Sequence, residues 1–112
     1  MGLNPHSTLV NNLLVALGAR PDLGKFWKRN TGAFQTDQGH YIKYGLVGAA
    51  DIEGLLVTGR HVEIECKTGA GKQSEAQCNF EAMILRFHGV YILARSVQPV
   101  ITYLEQAACR QS

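Results

Sequence analysis

The sequence predicts an α/β domain in which a mixed central sheet is flanked by helices. Two observations lead there. Apolar periodicity runs in the order helix, several short strands, helix, strand, helix, and alternation of this kind builds a sheet with helices packed on it. The 112 residues are 46% hydrophobic and 18% charged, with three prolines, which suits one domain over residues 1–112 with a single core.

Each element has its own signature. Leu9, Val10, Leu13, Leu14 and Leu17 recur at helical spacing, with Ser7 as the cap before them and Gly18 as the stop after them. Pro21, Asp22 and Gly24 form a turn. KFWKRN, HYIKYG and DIEGLLV follow as short strands broken by Gly32, Gly39, Gly45 and Gly48. From His61 to Lys67 the alternation is strict: Val62, Ile64 and Cys66 point one way, and Glu63, Glu65 and Lys67 the other. Ala76, Phe80, Met83, Ile84 and Phe87 then make a helical stripe that reads as core and ends at Gly89, a predicted C-cap. VYILAR is a nearly wholly apolar strand. Ser96 and Pro99 open a last helix through Val100, Ile101 and Leu104, with proline tolerated in the first turn.

Composition excludes several classes. Eleven Lys and Arg against nine Asp and Glu leave a formal charge of +2, which tolerates a polyanion without demanding one. Cys66, Cys78 and Cys109 are odd in number and widely spaced, so they read as reduced thiols rather than a disulfide framework or zinc site, with Cys66 and Cys78 buried or half-buried. His6, His40, His61 and His88 have no ligand-like spacing and read as surface or helix-end residues. The first segment lacks a basic region and a small-residue cleavage site, and no apolar run approaches the roughly 20 residues of a membrane span. A cytoplasmic protein with no membrane partner is expected.

The stretch IECKTGAGKQS, Ile64 to Ser74, can be parsed in two ways. As a phosphate loop it fails: aligning Gly71-Lys72 puts Cys66 where the first glycine belongs and Gln73 where the magnesium-binding hydroxyl belongs. No nucleotide cofactor is expected, and TGAGK reads as a turn whose glycines supply positive φ. As a strand end it presents Glu65-Cys66-Lys67, with Asp51 upstream on a segment able to lie beside it. Two carboxylates brought together repel unless a cation sits between them, and magnesium favours such hard oxygen ligands. A lysine two positions on projects to the same side, where a cation stabilises charge developing on a phosphodiester. Taken alone, the pattern also fits a solvated charged face, and Glu53 and Glu63 are open to both readings. Lys25, Lys28 and Arg29 around Trp27, and Lys43 between Tyr41 and Tyr44, interleave basic and aromatic residues as a phosphate backbone requires. The alternative places those aromatics in the core, which is the reading for Trp27.

Longer segments sharpen this. The leading helix ending in Gly18, RNTGAF (29–34), IKYGLVGAADIEGLL (42–56), the Gly59-Arg60 turn, VEIECKTGAGKQSEAQCNF (62–80) and HGVYILARS (88–96) resemble the virus-type replication-repair nuclease (VRR-NUC) family, a branch of the PD-(D/E)xK nucleases. The ordered set Gly48, Asp51, Gly54, Glu65, Lys67 and Gln77 carries the resemblance. It implies a restriction-endonuclease-like core in which Asp51, Glu65 and the Cys66 backbone carbonyl bind Mg2+ or Mn2+. Lys67 would be the catalytic lysine, and Gln77 an assisting amide near the metal or the DNA backbone. It also implies that Lys28, Arg29, Asn30, Lys43 and Lys72 meet DNA, with Asn30 and Gly32 in a turn that approaches it. One feature departs from the pattern: many members carry a glutamate in the first helix, whereas no acidic residue precedes Asp22 here, and Asn11 or Asn12 stands near that position. The expected protein is a homodimeric endonuclease cutting branched DNA such as a four-way junction, in a bacterial or phage-infected cell. The alternative is a non-catalytic DNA-binding or assembly subunit on the same fold.

Overall fold

The computed structural model describes residues 4–30 and 32–109, with the side chains of residues 31–34 and 42–44 outside that description. Thr31 and the side chains of Ala33, Phe34 and Lys43, which belong to the predicted DNA-facing segments, therefore lie outside the described residues.

The chain runs α1 (Pro5–Gly18), β1 (Gly24–Lys28), β2 (Gly32–Gln35), β3 (Tyr41–Tyr44), β4 (Ile52–Leu56), β5 (His61–Cys66), α2 (Glu75–Arg86), β6 (Val90–Ala94) and α3 (Val97–Cys109). β1, β4, β5 and β6 form a four-stranded sheet in that spatial order. Its first two pairings are antiparallel and β5–β6 is parallel, so the sheet is mixed, as the sequence predicts. The parallel pair is made by the β5–α2–β6 crossover, the connection that a parallel pairing requires. β2 and β3 pair only with each other, as a separate antiparallel hairpin.

Strand alternation sorts side chains between two layers. Val62, Ile64 and Cys66 of β5 are fully buried against Leu13 and Leu17 of α1 and Val100 and Leu104 of α3. The opposite face is covered by α2, where Phe80 and Ile84 pack with Tyr91 and Ala50. The face of β5 that carries Glu63 and Glu65 is thus covered rather than solvated, and the two residues are only 1% and 3% exposed. Burying either carboxylate is costly unless it is paired or hydrogen-bonded.

Several local expectations change. Asn4, not Ser7, caps α1, accepting from the Ser7 amide at 2.8 Å, and Pro5 opens the helix. Ser74 caps α2 in a capping box with Gln77. α2 ends at Arg86 with Phe87 as its C-cap, and the left-handed residue after the cap is His88 (φ 67°) rather than Gly89. Met83 and Phe87 are exposed, because α2 covers a narrow sheet face that takes only the Phe80 and Ile84 side of its stripe. Trp27 is 40% exposed instead of core, its indole N–H donating to Glu53 Oε1 at 3.0 Å. Cys66 is buried, whereas Cys78 and Cys109 are exposed, and none of the three is in a disulfide. In the TGAGK turn Gly69 has positive φ, and Arg95 binds the Gly69 and Gly71 carbonyls at 3.2 and 2.8 Å. No helix among the described residues is long and apolar enough to cross a membrane.

Candidate metal centre

β4 and β5 are antiparallel neighbours, with Ile52 opposite Ile64. That register brings Asp51, just before β4, to the carboxyl end of β5, where Asp51 Oδ2 accepts from the Cys66 amide at 2.8 Å. Glu65 lies one residue earlier, and its Oε2 is 3.7 Å from Lys67 Nζ. Gln77 reaches the cluster from the first turn of α2, donating from Nε2 to Glu65 Oε2 at 3.0 Å. Its other amide atom, Oε1, accepts from the Ser74 amide at 2.8 Å, so the capping box that starts the helix also orients the side chain that holds Glu65. The four residues singled out from the sequence therefore share one site.

A fifth residue joins them. His6 Nε2 lies 3.2 Å from Asp51 Oδ2, and the ligand atoms of His6, Asp51 and Glu65 all fall within 4.8 Å of one another. The first helix delivers this imidazole from its N-terminal turn. Asn11 and Asn12, predicted near the missing carboxylate, are exposed further along α1, and Asn12 lines a different groove with Thr8, Thr68 and Arg95. The signal for His6 was available in composition: it is the only His, Cys, Asp or Glu in Pro5–Gly18.

Two carboxylates and burial set the electrostatics of the cluster. Burial, then the charge of Asp51, pushes the Glu65 carboxyl up to about 7, despite the nearby Lys67. One amine at 3.7 Å does not offset two carboxylates. Burial, then the charges of Asp51 and Glu65, pushes the Cys66 thiol up to about 12, which disfavours its thiolate at neutral pH. The donor set of two carboxylates with an imidazole fits a divalent cation, and the Cys66 carbonyl stands at the same strand end.

A second acidic group on the same strand differs. Glu63 is held by the Arg29 guanidinium and His61, and Arg29 also reaches Glu53 at 3.1 Å. Arg29 is locked further by donation to the Ala50 carbonyl at 3.0 Å and by the Phe80 ring 5.6 Å away. Its own amide donates to the Asp51 carbonyl at 2.9 Å. Arg29, predicted to meet DNA, instead fastens the segment carrying Asp51 to the sheet, since its guanidinium is the counter-charge of a buried glutamate.

The centre opens into a groove of about 560 Å³ lined by Lys28, Arg29, Gly48, Asp51, Ser74 and Gln77 among others. Gly48 has φ +78°, and a Cβ there would sit 2.2 Å from the Ala76 carbonyl oxygen, so only glycine lets the 45–51 segment close against α2. Lys28 lines this groove and is exposed; Asn30, two residues on in the chain, and Lys72, on the turn after β5, are exposed as well. No protein-family model matches the sequence, and no curated protein matches it.

Proposed function

We propose that this chain is a divalent-metal-dependent DNA endonuclease with a restriction-endonuclease-like core, the activity its VRR-NUC resemblance implies. The observation that carries the reading is the meeting of Asp51, Glu65, Lys67 and Gln77 at one strand end, beside an open groove. Asp51 and Glu65 would hold Mg2+ or Mn2+, with the Cys66 carbonyl the third ligand that the resemblance implies. A bound cation supplies Lewis acidity, polarising a phosphoryl oxygen and lowering the pKa of a water.

The remaining work falls to side chains. Gln77 fixes the rotamer of Glu65, so the carboxylate is oriented before substrate arrives. Lys67 places a fixed positive charge beside Glu65, where it stabilises negative charge growing on the attacked phosphate. Lys28, Asn30, Lys43 and Lys72 are assigned to the flanking phosphates, which position a duplex without reading its bases. With a formal charge of +2, one chain binds DNA with a shallow salt dependence. A homodimer pooling two such surfaces suits a branched substrate such as a four-way junction, whose symmetry calls for two sites.

The test is incubation with a labelled four-way junction and a matched linear duplex in magnesium, manganese or chelator, beside Lys67→Ala. Metal-dependent cutting of the junction, lost in the variant, is expected. Tight junction binding without cutting in either metal contradicts the enzyme and leaves a DNA-binding subunit on this fold.

A further inference from the structure

Helix α1 contributes no acidic residue to the cluster, yet it contributes a ligand atom. We infer that the centre takes one divalent cation with His6 Nε2 as a ligand beside Asp51 and Glu65. We infer further that this nitrogen makes it a site for first-row transition cations, manganese included, in preference to magnesium. The inference rests on the metal-centre reading above and specifies which cation that centre holds.

Geometry is the first argument. Ligand atoms about 2.1 Å from a shared cation lie roughly 3–4 Å apart. His6 Nε2 and Asp51 Oδ2 are already 3.2 Å apart, and the full set lies within 4.8 Å, so small side-chain rotations close it. The imidazole is also pre-placed. Asn4 caps the helix, Pro5 sets the backbone one residue before His6, and Leu9, Val10 and Leu13 bury the following turns in the core. His6 itself is part-exposed, with its ring nitrogen turned to Asp51.

Charge is the second argument. Asp51 and Glu65 together match one divalent cation, and Lys67 adds a positive charge beside them. A second divalent cation would leave a large positive surplus in a half-buried site, which a third carboxylate from α1 would have offset. Ligand chemistry is the third. Magnesium prefers an all-oxygen shell, whereas an imidazole nitrogen raises affinity for first-row transition metals. The neighbouring group, Glu53, His61 and Glu63, also offers two carboxylates and an imidazole, but the Arg29 guanidinium is paired with both of its glutamates.

The experiment loads the full chain with manganese and records electron spin-echo modulation beside calorimetric stoichiometry. Binding of one ion with nitrogen-14 modulation from an imidazole is expected, with the modulation absent in His6→Gln. In His6→Glu, which replaces the nitrogen by a carboxylate, magnesium should displace manganese at least about tenfold more readily than from the wild type. Manganese binding that Asp51→Asn abolishes, but without nitrogen modulation, overturns the His6 assignment and leaves the metal centre standing. So does magnesium competition unchanged in His6→Glu. Absence of any manganese binding that depends on Asp51 overturns the metal-centre reading itself.

Discussion

Glu63 and Glu65 stand two residues apart on one face of β5, equally deep under α2, yet their surroundings are opposite. Glu63 is bound by a guanidinium that is itself fixed by a carbonyl and an aromatic ring, so its charge is balanced within the fold. Glu65 faces a second carboxylate, with the Gln77 amide donating to it, a lysine 3.7 Å away and the His6 ring in the same cluster, and no guanidinium among the described residues to balance it. A buried acid with a matched fixed partner is part of the framework. A buried acid paired with another acid is a place for something from outside.

The comparison breaks most visibly through activity. On the proposed nuclease reading, Lys67→Ala should lower single-turnover cleavage by about 10²–10³-fold, because it would remove the fixed charge assigned to the attacked phosphate while leaving the fold intact. Thermal melting of the variant checks the second half of that statement.

Arg29→Met attacks the other group. It strands Glu63 in the interior and should destabilise the protein by about 3–5 kcal/mol in urea denaturation, whereas Arg29→Met with Glu63→Leu should recover much of the loss. Equal destabilisation in the single and double variants would remove the distinction drawn between the two acids.

Stability against pH separates the acids next. The folded-state pKa of Glu65 is raised from 4.5 to about 7. Below the lower value both states are protonated and nothing is lost; between the two the unfolded chain ionises first, and stability declines until the folded group ionises. Metal-free protein should therefore lose about 3 kcal/mol between roughly pH 4.5 and 7 through this residue. Glu65→Gln should flatten that part of the profile. Manganese, which needs the ionised form, should bind more tightly as pH rises through the same window.

Gln77→Ala is the smallest expected change. It removes one hydrogen bond to Glu65 and half of a capping box, a cost of about 1–2 kcal/mol in denaturation. A larger loss in manganese affinity than in stability would show that the amide serves the site as well as the helix.

Much of this was legible in the chain. Two-residue alternation from His61 to Lys67 separated the core residues from the acids and put Glu65 and Lys67 on one face, with Asp51 on a segment able to lie beside them; Gln77 entered only through the family resemblance. Pairing of β2 with β3 was not legible, because four-residue strands punctuated by glycine carry little periodicity. Nor was the fate of Arg29: a basic residue beside a tryptophan looks alike whether it meets DNA or a buried glutamate far along the chain. His6 escaped because it lies 45 residues from Asp51, and sequence spacing says nothing about contacts made by folding. The burial of Glu63 and Glu65 was hidden for a related reason, since alternation says which residues share a face but not which helix covers it.

Manganese calorimetry on the wild type, Glu65→Gln and Glu53→Gln tests the central claim most directly. One ion bound by the wild type and by Glu53→Gln, and none by Glu65→Gln, is the expected result. No binding by the wild type, or equal loss in both variants, would contradict the assignment of the Asp51–Glu65 cluster as the metal centre.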